Sequence, residues 1–311
     1  MTGWLARRLA QMIVVVFGVV SLAFLFAYIV PGNPARLVAG PNASPEAVAS
    51  IARQLGLDRP LWSQYVSYVG RLAHGNLGVS FALEGRSVSG EILHALPITV
   101  ILAVGGVLWE IVLGLPIGIA AAYRPKGVLD RVATLGALVG LSAPPFWLGL
   151  MLLYYLAYKL SLFPLSGTGH PLIWYLILPS FTLGVGGAAW YSRMVRTTML
   201  GVLQSPYIEF ARLKGMPERT ILFRHAVRHV LTPIITMLGM DLGYFLGGVL
   251  IIESVFGLPG VGQLAYNAID TLDIPMITGT VLVAAVFMVV MNFIVDVTYT
   301  LIDPRVRLSR R

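Results

Sequence analysis

Long apolar segments separated by shorter polar ones form the dominant pattern along the chain. An α-helix needs about 20 apolar residues to cross a hydrocarbon core about 30 Å thick. Six segments meet this requirement, at about 9–30, 97–123, 132–158, 172–194, 230–252 and 274–301. The first has no small-residue cleavage site after it, so we interpret it as a retained anchor. The pattern predicts an all-α, polytopic membrane protein with six transmembrane helices.

Three polar stretches interrupt the apolar pattern. Residues 31–96 form an extracytoplasmic insert, which separates residues 1–30 from a five-helix transmembrane core at 97–311. A second polar stretch, at about 205–229, precedes the fifth span. The third, at about 253–273, is too rich in Gly and Pro to cross a membrane, so we predict a short interfacial or re-entrant element on the outer side.

The insert has the signals of two short amphipathic helices. Ser44 and Pro45 form a helix start and Gly56 a stop, and Pro60 then opens a second helical segment. The second segment has apolar positions along one face, at Leu61, Tyr65, Val69 and Leu72. These helices either cap the outer ends of the spans or form a docking surface for an external partner.

The basic residues predict the orientation of the chain in the membrane. The chain is 57% hydrophobic and 12% charged, with 22 Lys and Arg residues and a net charge of +8. When both termini are placed in the cytoplasm, most of these basic residues fall in cytoplasmic segments, as the positive-inside rule requires. Because this N-in, C-in topology accounts for the positive charge, we predict no nucleic-acid partner.

The stretch 205–229 combines basic residues with helix signals. Ser205 and Pro206 begin a short helix, Gly215 ends it, and Pro217 begins a second helix that runs into the fifth span. In the first helix the apolar residues Tyr207, Phe210 and Ala211 share a face, which predicts an apolar knob within a basic rim. A two-turn helix is not stable alone, so it lies either on the inner leaflet or in a groove of a cytoplasmic partner.

Three acidic residues fall within the predicted spans. Glu110, Asp241 and Asp296 are each costly in lipid, by about 2.5–3.5 kcal/mol for an aspartate on insertion scales. Each should therefore face protein or a water-filled cavity. For Asp296 we favour an interhelical hydrogen bond or a neutral carboxyl. For Glu110 and Asp241 a role in a translocation pathway stays open beside that structural one.

Several catalytic and cofactor motifs are missing from the sequence. The chain has no cysteine, and none of Lys126, Lys159 and Lys214 follows a glycine, so it has no phosphate-binding GxxxxGK[ST] loop. It also lacks HExxH and the Gly-x-Ser-x-Gly elbow. We predict no catalytic residue, metal site or cofactor in this chain, and any nucleotide energy must come from another chain.

A series of motifs, taken together and in order, resembles one protein family. Glu209, Phe210, Ala211 and Gly215 are similar to a Glu-Ala-Ala, three residues, Gly signature, with Phe210 in place of the first alanine. Further motifs are ARLKG at 211–215, RHAVR at 224–228 with Pro233, VPGNPARL at 30–37, QLGLDRPLWSQY at 54–65, GNLGVSF at 75–81, LGYFLGG at 242–248, ESVFGLPGVG at 253–262 and DPRVR at 303–307. The whole chain thus resembles the inner-membrane permease subunits of ABC importers of the peptide/nickel (dipeptide and oligopeptide) type.

The resemblance implies a type I ABC importer permease fold with a cytoplasmic coupling helix. In such importers this helix lies in a groove of the ATP-binding subunit and transmits nucleotide-driven movement to the spans. The positions implied for this contact are Glu209, Phe210, Ala211 and Gly215, with Arg212 and Lys214 on its rim. The insert would line the outer docking mouth together with Glu253, Phe256, Pro259 and Gly260.

The resemblance also implies partners and a location. The partners are a homologous second permease, two ATP-binding subunits or domains, an extracytoplasmic substrate-binding protein and membrane lipid. ATP and Mg would be bound by the partner subunits. The implied location is the bacterial cytoplasmic (inner) membrane, which the chain would cross several times.

The implied function is that of a permease subunit forming half of the pathway for di- and oligopeptides. The same architecture importing a nickel chelate or glutathione is an alternative, and an intramembrane enzyme or channel is a more distant one. Asp241 stands where the family more often has an uncharged polar residue. We therefore hypothesise that Asp241 faces the pathway and favours cationic substrates.

Overall fold

The structure, a computed structural model, describes residues 2–29, 34–40, 43–54, 56–246 and 249–302. Helices make up most of this part of the chain, and its residues form no strands beyond an isolated bridge between Val79 and Ser87. The helices are α1 (Thr2–Ile29), α2 (Pro34–Ala39), α3 (Pro45–Gln54), α4 (Leu61–Ala73), α5 (Val88–Tyr123), α6 (Val128–Ser142), α7 (Pro145–Leu152), α8 (Leu172–Leu203), α9 (Pro206–Leu213), α10 (Glu218–Thr220), α11 (Val227–Leu246), α12 (Leu250–Phe256), α13 (Val261–Asp270) and α14 (Ile274–Ile302). A π-helical turn, Leu153–Lys159, extends α7, and another, Ile221–Ala226, joins α10 to α11.

The spans agree with the apolar pattern, with one correction to the third. Among the described residues, 5 helices are long and apolar enough to cross a membrane, or up to 6 if a bent pair counts as one span. The bent pair is α6 with Pro145–Lys159, which meet at 101° instead of forming the single span predicted at 132–158. The break falls at Pro144 and Pro145, because a proline has no N–H to donate and disfavours helix in the residue before it.

Two other predicted boundaries also need correction. The second span begins at Val88 and not at residue 97, so its first turns come from the predicted insert. The fifth span runs from Glu218 to Leu246, whereas the prediction placed it at 230–252. The residues after position 248 form the separate helix α12.

Glycines at the centre of the bundle allow two helices to pack closely. A Cβ atom at Gly184 of α8 would lie 2.5 Å from the backbone oxygen of Gly106 in α5. A Cβ at Gly114 would meet Tyr191 at 2.6 Å, and one at Gly118 would meet the backbone oxygen of Ser192 at 2.6 Å. Only glycine permits this approach, and close contact between backbones is a main source of stability for helix pairs in lipid. Helices α5 and α8 therefore form the rigid core of the described bundle.

A second helix pair, α11 and α14, is also packed closely at glycine residues. A Cβ at Gly239 would lie 1.6 Å from the Cγ2 atom of Val295, and Gly243 faces Met288 and Met291 of α14. Helix α1 packs on the outside of α14, and a salt bridge of 2.7 Å joins Arg8 to Asp296 near their predicted cytoplasmic ends. The predicted interhelical role of Asp296 is therefore confirmed.

The insert contains the two predicted helices, α3 and α4. The Ser44 hydroxyl accepts a hydrogen bond from the Ala47 N–H at 3.3 Å, and Gly56 has a φ of +69° at the predicted stop. The sequence reasoning missed the short helix α2. Parts of four motifs lie outside the described residues, namely 30–33 of VPGNPARL, Leu55 of QLGLDRPLWSQY, Gly247 and Gly248 of LGYFLGG, and all of DPRVR at 303–307.

Candidate functional site

The segment after α8 folds as the predicted helix, break and helix. Helix α9 covers Pro206–Leu213, Gly215 has a φ of +74° at the turn, and Pro217 precedes the next helix. An L-residue with a side chain is strained at this φ, so glycine suits the turn. The second helix continues to Leu246, so a continuous helical rod joins the turn to a transmembrane span.

Apolar contacts with the rest of the chain hold α9 in place. Ile208 and Ile221 are fully buried, Ala211 is buried beside them, and Val202, Leu203 and Met216 pack around this cluster. Burying an isoleucine side chain contributes about 1.5–3 kcal/mol. This packing explains how a two-turn helix is stable here, because α9 packs on the end of α8 and on the start of the next helix.

The exposed face of α9 differs from the predicted one. Ala211 is only 7% exposed and packs inward, so its predicted place on the projecting knob is wrong. The exposed apolar side chains are Tyr207, Phe210 and Leu213, at 43%, 59% and 81% exposure. Their spacing of three residues places them along one side of the helix. This spacing is visible in the sequence, but the predicted knob did not include Leu213. We call these three residues the α9 face.

Charged groups surround the α9 face. The Arg212 guanidinium donates to Glu218 with an Nε to Oε1 distance of 2.7 Å, which closes the turn between α9 and the rod. The same contact raises the pKa of the Arg212 side chain. Lys214 Nζ lies 4.7 Å from the centre of the Phe210 ring, and Glu209 is exposed in the first turn of α9. The predicted coupling residues other than Ala211 therefore lie at the surface.

The two predicted pathway acids lie close to each other but differ in exposure. Glu110 of α5 is 1% exposed and packs against Gly187, and its Oε2 has no hydrogen-bond partner among the described residues. Asp241 of α11 is half-buried and accepts a hydrogen bond from the Tyr191 hydroxyl at 2.7 Å. Asp241 lies beside the exposed residues Met240 and Tyr244. Of the two acids, Asp241 is therefore the more exposed.

The outer element forms a packed structure around Glu253. This carboxylate is fully buried and accepts hydrogen bonds from the Thr99 hydroxyl at 2.7 Å and from the Gln263 N–H at 2.9 Å. Burial raises the pKa of the Glu253 carboxyl, and these hydrogen bonds oppose that effect. A Cβ at Gly260 would lie 2.3 Å from the Glu253 carboxyl group. Glu253 therefore fastens α12 and the start of α13 to α5.

This packing corrects the predicted outer mouth. Phe256 is 3% exposed, and Glu253 and Gly260 are buried as well, so these three residues do not line an opening of this chain. Pro259 alone of the four predicted residues is exposed. A buried carboxylate needs hydrogen-bond donors, which Thr99 and Gln263 supply, and a close-fitting backbone around it, which Gly260 and Gly262 permit.

An ion pair that the sequence reasoning missed joins α6 to α8. The Arg196 guanidinium donates to both oxygens of Asp130, at 2.5 and 2.8 Å, and the Lys126 N–H donates to Asp130 at 2.8 Å. Asp130 is 4% exposed, so its charge depends on these partners. The pair fixes the predicted cytoplasmic loop between the second and third spans to the same helix that carries α9.

Replacing Asp130 by asparagine should lower the stability of the folded protein by about 1.5–3 kcal/mol, because a bidentate, charge-assisted contact is lost. The measurement is the thermal unfolding midpoint of the detergent-solubilised protein. Arg193→Gln is the matched control, since Arg193 is an exposed residue of the same helix. Equal midpoints for Asp130→Asn and Arg193→Gln would show that the pair does not stabilise the fold.

Comparison with protein families decides between the functional classes. Residues 114–308 match the family model described as the inner membrane component of binding-protein-dependent transport systems. Residues 1–103 match the N-terminal family of the membrane component of such systems. The chain belongs to this permease family. It is a multi-pass inner-membrane permease subunit of an ABC importer of the peptide/nickel type, and the predicted identification is confirmed.

Curated relatives and solved structures support the same family. The permease is 36% identical over 308 residues to the glutathione transport system permease protein GsiC of Salmonella typhi, covering 99% of each chain. The GsiC protein of Escherichia coli (strain K12) is 34% identical over 308 residues, again covering 99% of each. An inward-facing structure of the MetNI methionine ABC transporter matches with a TM-score of 0.55 at 18% identity, covering 68% of this chain and 96% of that chain. That structural likeness shows the type I importer permease fold.

Proposed function

We propose that this permease forms half of the translocation pathway of an ATP-driven importer of short peptides. A homologous second permease forms the other half, two ATP-binding subunits bind ATP and Mg, and an extracytoplasmic binding protein delivers the substrate. The observation that carries the proposal is the α9 face, which presents exposed apolar side chains at the end of a rod continuous with a transmembrane span. An apolar helix face with a charged rim suits recognition in a groove of a partner.

The described contacts suit the transmission of movement. Helix α9 is fixed to the rod by the Ile208 and Ile221 contact and by the Arg212 and Glu218 pair, so a displacement of α9 must move the rod as well. On the rod, Leu222, Ala226 and Val230 are buried against α8, so the two helices shift as packed elements. Alternating access in transporters proceeds largely by such rigid-body motion of helix groups around a fixed site.

The substrate is the finer part of the proposal. Short peptides are the substrate class that the motifs favour, and the relatives named as glutathione transport permeases favour glutathione, itself a small peptide, as a second candidate. Reconstituting the complete importer with its binding protein in ATP-loaded liposomes tests both. We expect ATP-dependent accumulation of labelled di- or oligopeptides. Accumulation of glutathione alone would replace the first candidate by the second, and accumulation of neither would contradict the proposal.

The Asp241→Asn permease tests whether this half-buried carboxylate selects substrate charge. If Asp241 faces the pathway, uptake of a basic dipeptide should fall about tenfold, which corresponds to ~1.4 kcal/mol, while uptake of a neutral dipeptide should be unchanged. Tyr191→Phe is the matched control, because it removes the hydrogen bond to Asp241 but keeps the negative charge. Equal effects on both dipeptides would contradict a role of Asp241 in selecting charge.

A further inference from the structure

A pocket of about 550 Å³ opens on the outer side of the described bundle. Its walls come from the outer end of α1, the turn before α4, one side of α4, the loop at 76–81 and the first turn of α14. This volume falls within the range typical of small-molecule sites. Neither the coupling segment nor the candidate pathway acids contribute to its lining, so it is separate from the site described above.

Specific contacts between its walls build the pocket. The hydroxyl groups of Ser21 in α1 and Tyr65 in α4 are hydrogen-bonded at 2.7 Å, and the rings of Phe24 and Tyr65 pack edge to face. On the opposite side, Asp273 accepts hydrogen bonds from the Ser80 hydroxyl and from the Ala82 N–H, which fixes the loop to the start of α14. The pocket is therefore preformed by the fold.

The lining of the pocket is positively charged at one part and apolar at another. Among the described residues that line it are Arg59 and Arg71, and none of these lining residues is acidic. Within the described part of the chain, neither arginine forms a salt bridge. Ser67 and Asn76 add polar side chains to the lining, whereas Leu57, Leu77, Ile274 and Pro275 supply apolar surface. Two guanidinium groups without acidic partners favour a ligand that carries negative charge.

The position of the pocket places it at the membrane surface. Phe24 lies near the outer end of the first span, and Ile274 is the first residue of the last span, so the pocket lies where both spans leave the hydrocarbon core. Helix α4 exposes Leu61, Trp62 and Val66 at 60%, 72% and 59%. An amphipathic helix with an exposed tryptophan is typical of the interface between lipid headgroups and acyl chains. The pocket therefore lies at the level of the lipid headgroups.

We propose that this pocket binds the phosphate headgroup of an anionic phospholipid of the outer leaflet, with Arg59 and Arg71 as its ligands. The apolar wall then contacts the upper part of the acyl chains. The lipid would join α1, α4 and α14, which meet around the pocket. Such a lipid would fasten the insert to the transmembrane core, and this role does not depend on the substrate that the importer carries.

The test uses the full-length permease within its purified importer complex. Dioleoylphosphatidylglycerol is titrated into the detergent-solubilised complex, and bound lipid is counted by native mass spectrometry. Replacing both arginines, Arg59→Gln with Arg71→Gln, should weaken binding on the order of tenfold for each guanidinium lost, whereas the corresponding lysine variant should retain most of the affinity. Arg53→Gln is the matched control, since Arg53 is exposed on α3 and does not line the pocket.

Two further ligands separate the possible sources of the phosphate. Dioleoylphosphatidylcholine has the same chains and the same phosphate, but its choline cation offsets the negative charge, so we expect the complex to bind it more weakly. Inorganic phosphate should not match the affinity of the lipid, because it lacks the apolar part. Unchanged phosphatidylglycerol binding in the double glutamine variant would overturn the proposal. So would arginine-dependent binding of inorganic phosphate with an affinity equal to that of the lipid.

Discussion

A permease carrying both Phe210→Asp and Leu213→Asp is expected to reach the membrane and yet to support no ATP-driven uptake. These side chains are 59% and 81% exposed and belong to the α9 face, so replacing them removes the contact of Lys214 with the Phe210 ring but leaves the buried cluster under α9 intact. In a partner groove, however, each aspartate would bury an unpaired charge. The loss of two central apolar anchors, at about 2 kcal/mol or more each, weakens docking roughly 1,000-fold.

The measurement is uptake by the reconstituted importer, together with the amount of permease in the membrane and the ATPase rate. Val128→Asp is the matched control, because Val128 is 79% exposed and belongs to the predicted cytoplasmic loop between the second and third spans, outside α9. We expect uptake with Val128→Asp to remain near the level of the unmodified importer. Full uptake by the double α9 variant would refute the coupling role of the α9 face.

Gly187→Ala should destabilise the permease strongly. A Cβ atom at this position would lie 1.7 Å from Oε1 and 2.4 Å from Cδ of Glu110, a side chain that is itself 1% exposed and enclosed between α5 and α8. Accommodating the new Cβ requires either a rotation of the buried Glu110 side chain or a separation of the helices, and overpacking of this kind typically costs about 1–3 kcal/mol. The thermal unfolding midpoint of the solubilised permease should fall accordingly.

Two further variants make this prediction specific. Gly186→Ala is the matched control, because a Cβ at the neighbouring Gly186 meets no atom within 4 Å. Adding Glu110→Ala to Gly187→Ala removes the clashing carboxyl group and should restore much of the midpoint. If Gly187→Ala were as stable as Gly186→Ala, or if the second substitution gave no recovery, the close packing of α5 and α8 at this point would be wrong.

The apolar pattern predicted most of the fold because each long apolar segment has one stable solution in lipid, a helix with its backbone hydrogen bonds satisfied internally. Glycine located the break at Gly215. The break between α6 and α7 falls at Pro144 and Pro145, within a segment predicted as a single span. The pattern could not predict the angle at Pro144. A proline marks where a helix ends, whereas the direction of the next helix depends on its packing partners.

The candidate site was predicted in position but not in orientation. The motif located α9 correctly, yet Ala211 turned inward because Ile208 and Ile221 form the cluster that fastens the helix. Likewise, the motif around Glu253 marked an outer element, but burial of the carboxylate between Thr99 and Gln263 depends on residues far apart in the sequence. The partnership of Asp130 with Arg196 is a contact of the same long-range kind.

The central claim is that the α9 face contacts an ATP-binding subunit, and the absence of cysteine from the chain allows a direct test. Single cysteines are introduced by Leu213→Cys and, as a control, by Val128→Cys. Each importer complex is then treated with a short, photoactivatable, thiol-specific cross-linker. We predict that Leu213→Cys yields a covalent product with the ATP-binding subunit and that Val128→Cys does not. A product from Val128→Cys alone, with none from Leu213→Cys, would contradict the account.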